Sequence, residues 1–131
     1  MEGHPRSTLG RSFVVGIGNQ KGGVAKSTNA VNLAAALALK GRSVLLIDCD
    51  ANCGITRALG IPEDDFPGTH EVMLGDEVPE DVYLANGDSD LALPENVFVI
   101  PGRRKMNSVV EELMARGKKF DKSPDHPISC D

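Results

Sequence analysis

The chain has 131 residues, 40% hydrophobic and 25% charged, which is the size and composition of one ordinary globular domain and excludes two independent ones. A net charge of −5, from 14 basic and 19 acidic residues, excludes a surface that binds nucleic acid all over and leaves room only for a local basic patch. No stretch approaches the ~18 apolar residues of a membrane span, and "MEGHPRSTLGR" at the N-terminus has no apolar signal region, so the cytoplasm is the expected compartment.

Residues 1–11 are polar, with Pro and Gly, and read as a flexible lead-in. "FVVGIG" at 13–18 is a short β-branched apolar run closed by Gly and predicts a buried strand. From Lys26 the period changes. Ala30, Leu33, Ala34, Leu37 and Ala38 fall on one helical face of mostly small side chains, able to pack closely on a sheet. That helix is expected to stop near Lys40, because Gly41 supplies a left-handed cap and Lys40 complements the helix dipole. "SVLLID" at 43–48 predicts a second strand, apolar on both faces. Strand, glycine loop, helix and strand make a right-handed βαβ unit, and the expected class is α/β with a parallel sheet.

Further on, "IPEDDFPG" at 61–68 reads as a loop, and "THEVMLG" at 69–75 as a short helix capped by Thr69. "NVFVIPG" at 96–102 predicts a third strand. A helix from about Asn107 to Arg116 should follow, with Val109, Val110, Leu113 and Met114 inward and Glu111 and Glu112 outward. Residues 117–131 carry two prolines and no periodicity, and are expected to be a poorly ordered tail. The cysteines Cys49, Cys53 and Cys130 have no zinc-site spacing and read as packed or surface thiols, while His4, His70 and His126 form no ligand cluster and read as surface residues.

The chemistry concentrates in "NQKGGVAKST" at 19–28. The general phosphate-loop pattern G-x-x-x-x-G-K-[ST] would place Gly where this chain has Gln20 and Ala25. A phosphate chain needs backbone N–H groups converging on one concavity and side chains small enough to let the backbone approach. Gly22, Gly23, Val24 and Ala25, followed by a helix N-terminus at Lys26, Ser27 and Thr28, supply such a nest. Lys26 is expected to reach the β- and γ-phosphate oxygens, and the Ser27 hydroxyl to ligate Mg²⁺ directly. Asp48 and Asp50 stand two apart at a strand's C-terminal end and so point the same way, where carboxylates hold Mg²⁺ through water or orient an attacking water, unless one or both simply end the strand and cap the loop after it. "GRRK" at 102–105 follows the third strand, at the edge where α/β ligands bind, and reads either as a solvated loop or as a contact for phosphate or nucleic acid.

These residues resemble the ParA/MinD family of P-loop ATPases, whose deviant Walker A motif reads K-G-G-x-x-K-[ST]. Lys21, Gly22, Gly23, Lys26 and Ser27 match every fixed position, and the family does not require Gly at positions 20 or 25. The resemblance implies that Lys21 is the signature lysine, reaching the partner's phosphates across a nucleotide-sandwiched dimer. "LLIDCD" resembles the family's Walker A′ strand, which implies a hydrolysis role for Asp50, including a water-mediated hold on Mg²⁺, and a supporting role for Asp48. Where the family often continues D-P-Q-G-N this chain has "DANCG", with Ala51 in the proline's place, while Thr56 and "ALG" at 58–60 keep the familiar continuation. The "NQ" before Lys21 and the alanine-rich helix resemble the chromosome and plasmid partitioning proteins of the family more than MinD or the nitrogenase iron protein.

The resemblance implies a P-loop NTPase fold of the SIMIBI type, with ATP and Mg²⁺ as ligands. It also implies an ATP-dependent homodimer that binds DNA nonspecifically, and a ParB-like partner that stimulates hydrolysis. It covers residues 12 to about 116. The strand ending in the Walker B aspartate is expected after the last helix, and "KKFDKSPDHPISCD" has no apolar run to form it. The expected organisation is therefore a lead-in at 1–11, about the N-terminal half of an ATPase domain at 12–116, and a tail at 117–131. The alternatives are a nucleotide-binding or interaction module without turnover and a MinD-like positioning ATPase, with no membrane-targeting signal in this chain.

Overall fold

The computed structural model describes residues 12–18 and 26–121. Helix α1, Lys26–Leu39, is the longest apolar element and buries the small-residue stripe Ala30, Ala34 and Ala38. Its small side chains let α1 lie close to the sheet. It ends where expected: Gly41 adopts φ 85°, its N–H bonds the Ala38 carbonyl at 2.9 Å, and the Arg42 N–H reaches back to Leu37 O at 3.1 Å. This pair of bonds is a Schellman cap, and glycine accepts the left-handed conformation without a Cβ penalty. Leu33 and Leu37, predicted to face inward with the alanines, are exposed.

Strand β1, Val44–Ile47, pairs in parallel with β2, Val97–Ile100, in the register Val44↔Val97 to Ile47↔Ile100. Leu84 forms an antiparallel bridge with Val99. The core joins the α1 alanines to Leu46, Val97 and Val99, with Ile61, Leu84, Leu91 and Leu93 closing around them. The α/β class with a parallel sheet is thus observed.

The first predicted strand is not. Residues 12–18 have no ladder partner, and Phe13 and Val14 are 83% and 97% exposed. A strand is completed by a neighbour's edge, and β2 takes one edge of β1. Segment 12–17 instead lines, with the exposed Leu33, Leu37, Leu45 and Ile47, an open cleft of about 1980 Å³. The prediction that 43–48 is covered on both faces also fails: Leu46 is buried, whereas Leu45 and Ile47 on the other face are half exposed and line the cleft.

Short helices α2, Gly54–Ala58, and α3, Thr69–Leu74, flank the C-terminal ends of the strands. α3 starts at Thr69 with Gly68 as its cap, and Glu71 reaches back to the Gly68 N–H at 2.8 Å, one half of a capping box. A single turn α4, Pro79–Val82, leads towards the Leu84 bridge. After β2, a 3-10 turn at Arg104–Ser108 opens into α5, Val109–Asp121, which runs past the predicted end at Arg116. Val109 is buried there, while Val110, Leu113 and Met114, all predicted inward, are exposed. The α5 helix is held to α3 by polar contacts instead. Arg116 bonds Leu74 O and Asp76, and Glu112 meets His70.

Candidate nucleotide site

The site forms where the N-terminus of α1 meets the C-terminal end of β1. Lys26 opens α1, and its Nζ donates to Asp50 Oδ2 at 3.0 Å, an ion pair with both side chains largely covered. Ser27, the next residue, lies against α2: a Cβ on Gly54 would collide with the Ser27 hydroxyl oxygen. The glycine of "DANCG" is therefore what lets α2 approach the predicted Mg²⁺ ligand. Thr28 is on the exposed side of the first turn.

Asp50 accepts the Asn52 N–H at 2.9 Å, and this bond, followed by the Lys26 ammonium, holds its carboxyl below the usual carboxylate range. It is therefore anionic at neutral pH and partly covered at the cleft. Asp48 is different. It is buried, its Oδ2 accepts both the N–H and the hydroxyl of Thr56, and its Oδ1 accepts the Asp50 N–H at 3.2 Å. Two carboxylates with one sequence pattern thus occupy two environments, one facing a cation and the cleft, one spent on internal bonds.

Lys26 and Ser27, more than twenty positions before Asp48 and Asp50, line the same cleft with them. Lys21, Gly22, Gly23, Val24 and Ala25 lie outside the described residues. The donor set that is described fits a magnesium nucleotide: a helix N-terminus and a lysine for phosphate, with a hydroxyl and a carboxylate oxygen for a hard cation. Cys49, between the two aspartates, is exposed, and Cys53 is buried with its Sγ near Ala51 O at 3.5 Å. Burial pushes both thiols up, and the Asp48 charge adds to it, so neither is an activated nucleophile. Among the described residues no cluster of His, Cys, Asp and Glu has the makings of a separate metal site.

"GRRK" is engaged within the fold. Arg103 Nη1 donates to Phe66 O at 2.7 Å, with its Nε 3.4 Å from Asp64 and without a hydrogen bond of its own. Arg104 bonds Glu63 at 2.9 Å, and Glu63 also takes Arg57. Arg103 and Arg104 thus have local acceptors, while the Arg104 side chain stays 63% exposed. His70, read from sequence as a surface residue, is 4% exposed, with Nε2 2.8 Å from Glu112 and Nδ1 3.4 Å from Glu71. No local signal marks it, since its partner Glu112 lies on another element. His4, His126 and Cys130 lie outside the described residues.

A family described as an AAA domain, AAA_31, matches residues 12–122. An uncharacterized protein of Mycobacterium tuberculosis is 38% identical over 117 residues, 86% of this chain and 37% of that one. The chromosome partitioning protein ParA of Caulobacter vibrioides is 45% identical over 101 residues, 76% of this chain and 36% of that one. Among solved structures, cobyrinic acid a,c-diamide synthase from Mycobacterium smegmatis, with bound ATP analog and magnesium, superposes with a TM-score of 0.65 at 34% identity, covering 79% of this chain and 40% of that one. The chain thus spans well under half the length of each of these proteins. With the α/β arrangement and the lysine, serine and aspartates gathered at one strand-to-helix junction, the chain belongs to the AAA_31 family of ParA/MinD-like P-loop proteins.

Proposed function

We propose that the chain binds ATP with Mg²⁺ at the junction of β1 and α1, and contributes to ATP hydrolysis that drives partitioning of chromosomal DNA or a related cargo in the cytoplasm. The observation that carries this reading is the pairing of Lys26 with Asp50 at 3.0 Å beside Ser27. It holds a phosphate-sized cationic point and a carboxylate next to a helix N-terminus.

In this reading Lys26 exchanges Asp50 for the terminal phosphates, and the first amides of α1 add their partial positive charge. Asp50, freed from Lys26, accepts a hydrogen bond from the attacking water and orients it, while Asp48 keeps the turn beneath it in place. Ser27, with Asp50 through water, would hold Mg²⁺, which when bound supplies charge neutralisation at the phosphate oxygens. Lys21 and the loop Gly22 to Ala25 complete the phosphate cradle, with Lys21 acting across an ATP-dependent homodimer. Nonspecific DNA and a ParB-like stimulating protein are the partners that the similarity to chromosome partitioning proteins supports. Among the described residues no helix is long and apolar enough to cross a membrane.

Calorimetry of the 131-residue chain with ATP, with and without Mg²⁺, tests the reading, with Lys26→Ala as control. Saturable Mg-dependent binding that the substitution abolishes is expected. Equal affinity in the two proteins would place the nucleotide elsewhere. Binding without phosphate release, alone and with DNA, would leave a nucleotide-binding module in place of an ATPase.

A further inference from the structure

Directly behind the Lys26–Asp50 pair, three chain segments meet at one hydroxyl group. Asp48 is 1% exposed, and among the described residues no basic side chain pairs with it. Its charge is met by neutral donors. Thr56 gives its N–H at 3.0 Å and its hydroxyl at 2.7 Å to Oδ2, and the Asp50 N–H lies 3.2 Å from Oδ1.

Thr56 is also 1% exposed, and its single hydroxyl proton is committed to Asp48. The lone pair on the same oxygen accepts the Gly102 N–H at 2.8 Å. Gly102 has no room for a side chain, because a Cβ would stand 2.8 Å from Asp48 Cγ and 3.1 Å from Asp50 O. The neighbouring Pro101 carbonyl accepts the N–H of Thr69 at 2.9 Å, so the N-terminus of α3 is tied to the same point. The C-terminal ends of β1 and β2 and the middle of α2 are thus joined through the Asp48 carboxylate and the Thr56 hydroxyl.

We propose that Thr56, braced by Gly102, is a positioning residue: it fixes the Asp48 carboxylate and, through it, the turn that presents Asp50 to Lys26. The role of Asp50 rests on the proposed function, but the positioning does not require nucleotide. A valine at 56 would fill nearly the same volume, yet leave Asp48 short of one donor and the Gly102 N–H without an acceptor. Serine would restore both bonds with one methyl fewer.

Amide NMR of the full chain reads the effect without ligand, because the Asp50 and Asn52 N–H groups are each bonded to a carboxylate of this turn. In Thr56→Val both amide protons should move upfield, and in Thr56→Ser they should stay. Phosphate release from Mg-ATP should fall about tenfold in Thr56→Val and be retained in Thr56→Ser, with Mg-ATP affinity by calorimetry not weakened in either. A folded Thr56→Val protein with unmoved Asp50 and Asn52 resonances overturns the proposal. If Thr56→Val does not fold, Gly102→Ala perturbs the same contact, and unmoved resonances there overturn it equally. Unfolding of both, with Thr56→Ser intact, would make Thr56 an element of stability alone and overturn the positioning role. A wild-type chain that binds no Mg-ATP refutes the proposed function, while the amide signals still decide the positioning.

Discussion

Lys26 Nζ lies 3.0 Å from Asp50 Oδ2, so the lysine that would hold phosphate is engaged by the carboxylate that would orient water. Each group serves as the other's counter-ion until phosphate competes for the lysine. Lys26→Ala should therefore abolish ATP binding. Asp50→Ala should instead bind ATP at least as tightly as the wild type, by up to about fivefold, since an ion pair of this exposure is worth about 1 kcal/mol and no longer has to be broken. Phosphate release should fall in the same variant. Weaker ATP binding by Asp50→Ala, measured by calorimetry, would show that Asp50 contributes to binding more than it competes.

The two faces of β1 should respond differently to truncation. Leu46 packs in the core with the α1 alanines, whereas Leu45 is half exposed on the other face. Leu46→Ala should cost about 2–5 kcal/mol in urea unfolding, and Leu45→Ala well under that range. Equal costs would mean that the outer face is also covered in solution.

Glu63 links α2 to the loop after β2 through Arg57 and Arg104, and these two, Arg57 first, lower its carboxyl to about 2 from an ordinary 4.5. A carboxyl depressed on folding adds stability that is fully present above the ordinary value and is lost as pH falls through the folded one. The melting temperature of the wild type should thus exceed that of Glu63→Gln near neutrality, with the difference closing between about 4.5 and about 2. A difference independent of pH would assign the effect to packing of the side chain and not to its charge.

His70 joins α3 to α5 through Glu112, and its hydrogen bond is the leading cause that holds the Glu112 carboxyl below its ordinary range. Because Val110, Leu113 and Met114 are exposed, α5 depends on these polar contacts more than a helix with an apolar face buried. His70→Ala should destabilise the protein by about 1–3 kcal/mol and speed amide exchange across residues 109–117. Unchanged exchange there would show that Arg116 and Val109 suffice to dock the helix.

What could be read along the chain was what depends on near neighbours. Helix α1, its stop at Gly41, the apolar runs of β1 and β2, the Lys26–Ser27 pair and the Asp48–Asp50 spacing all rest on residues a few positions apart, where period, cap and motif chemistry act. Tertiary structure decided what depends on a partner from elsewhere in the chain. The run at 13–18 has a strand's composition but no ladder partner, so its apolar residues line a cleft. Asp48 and Asp50 look alike in sequence, yet Thr56 and Gly102 bury one while Lys26 holds the other at the surface. Likewise Arg104 is spent on Glu63 and His70 is buried against Glu112, because a charge finds its counter-charge by distance in space, which the order of residues does not encode.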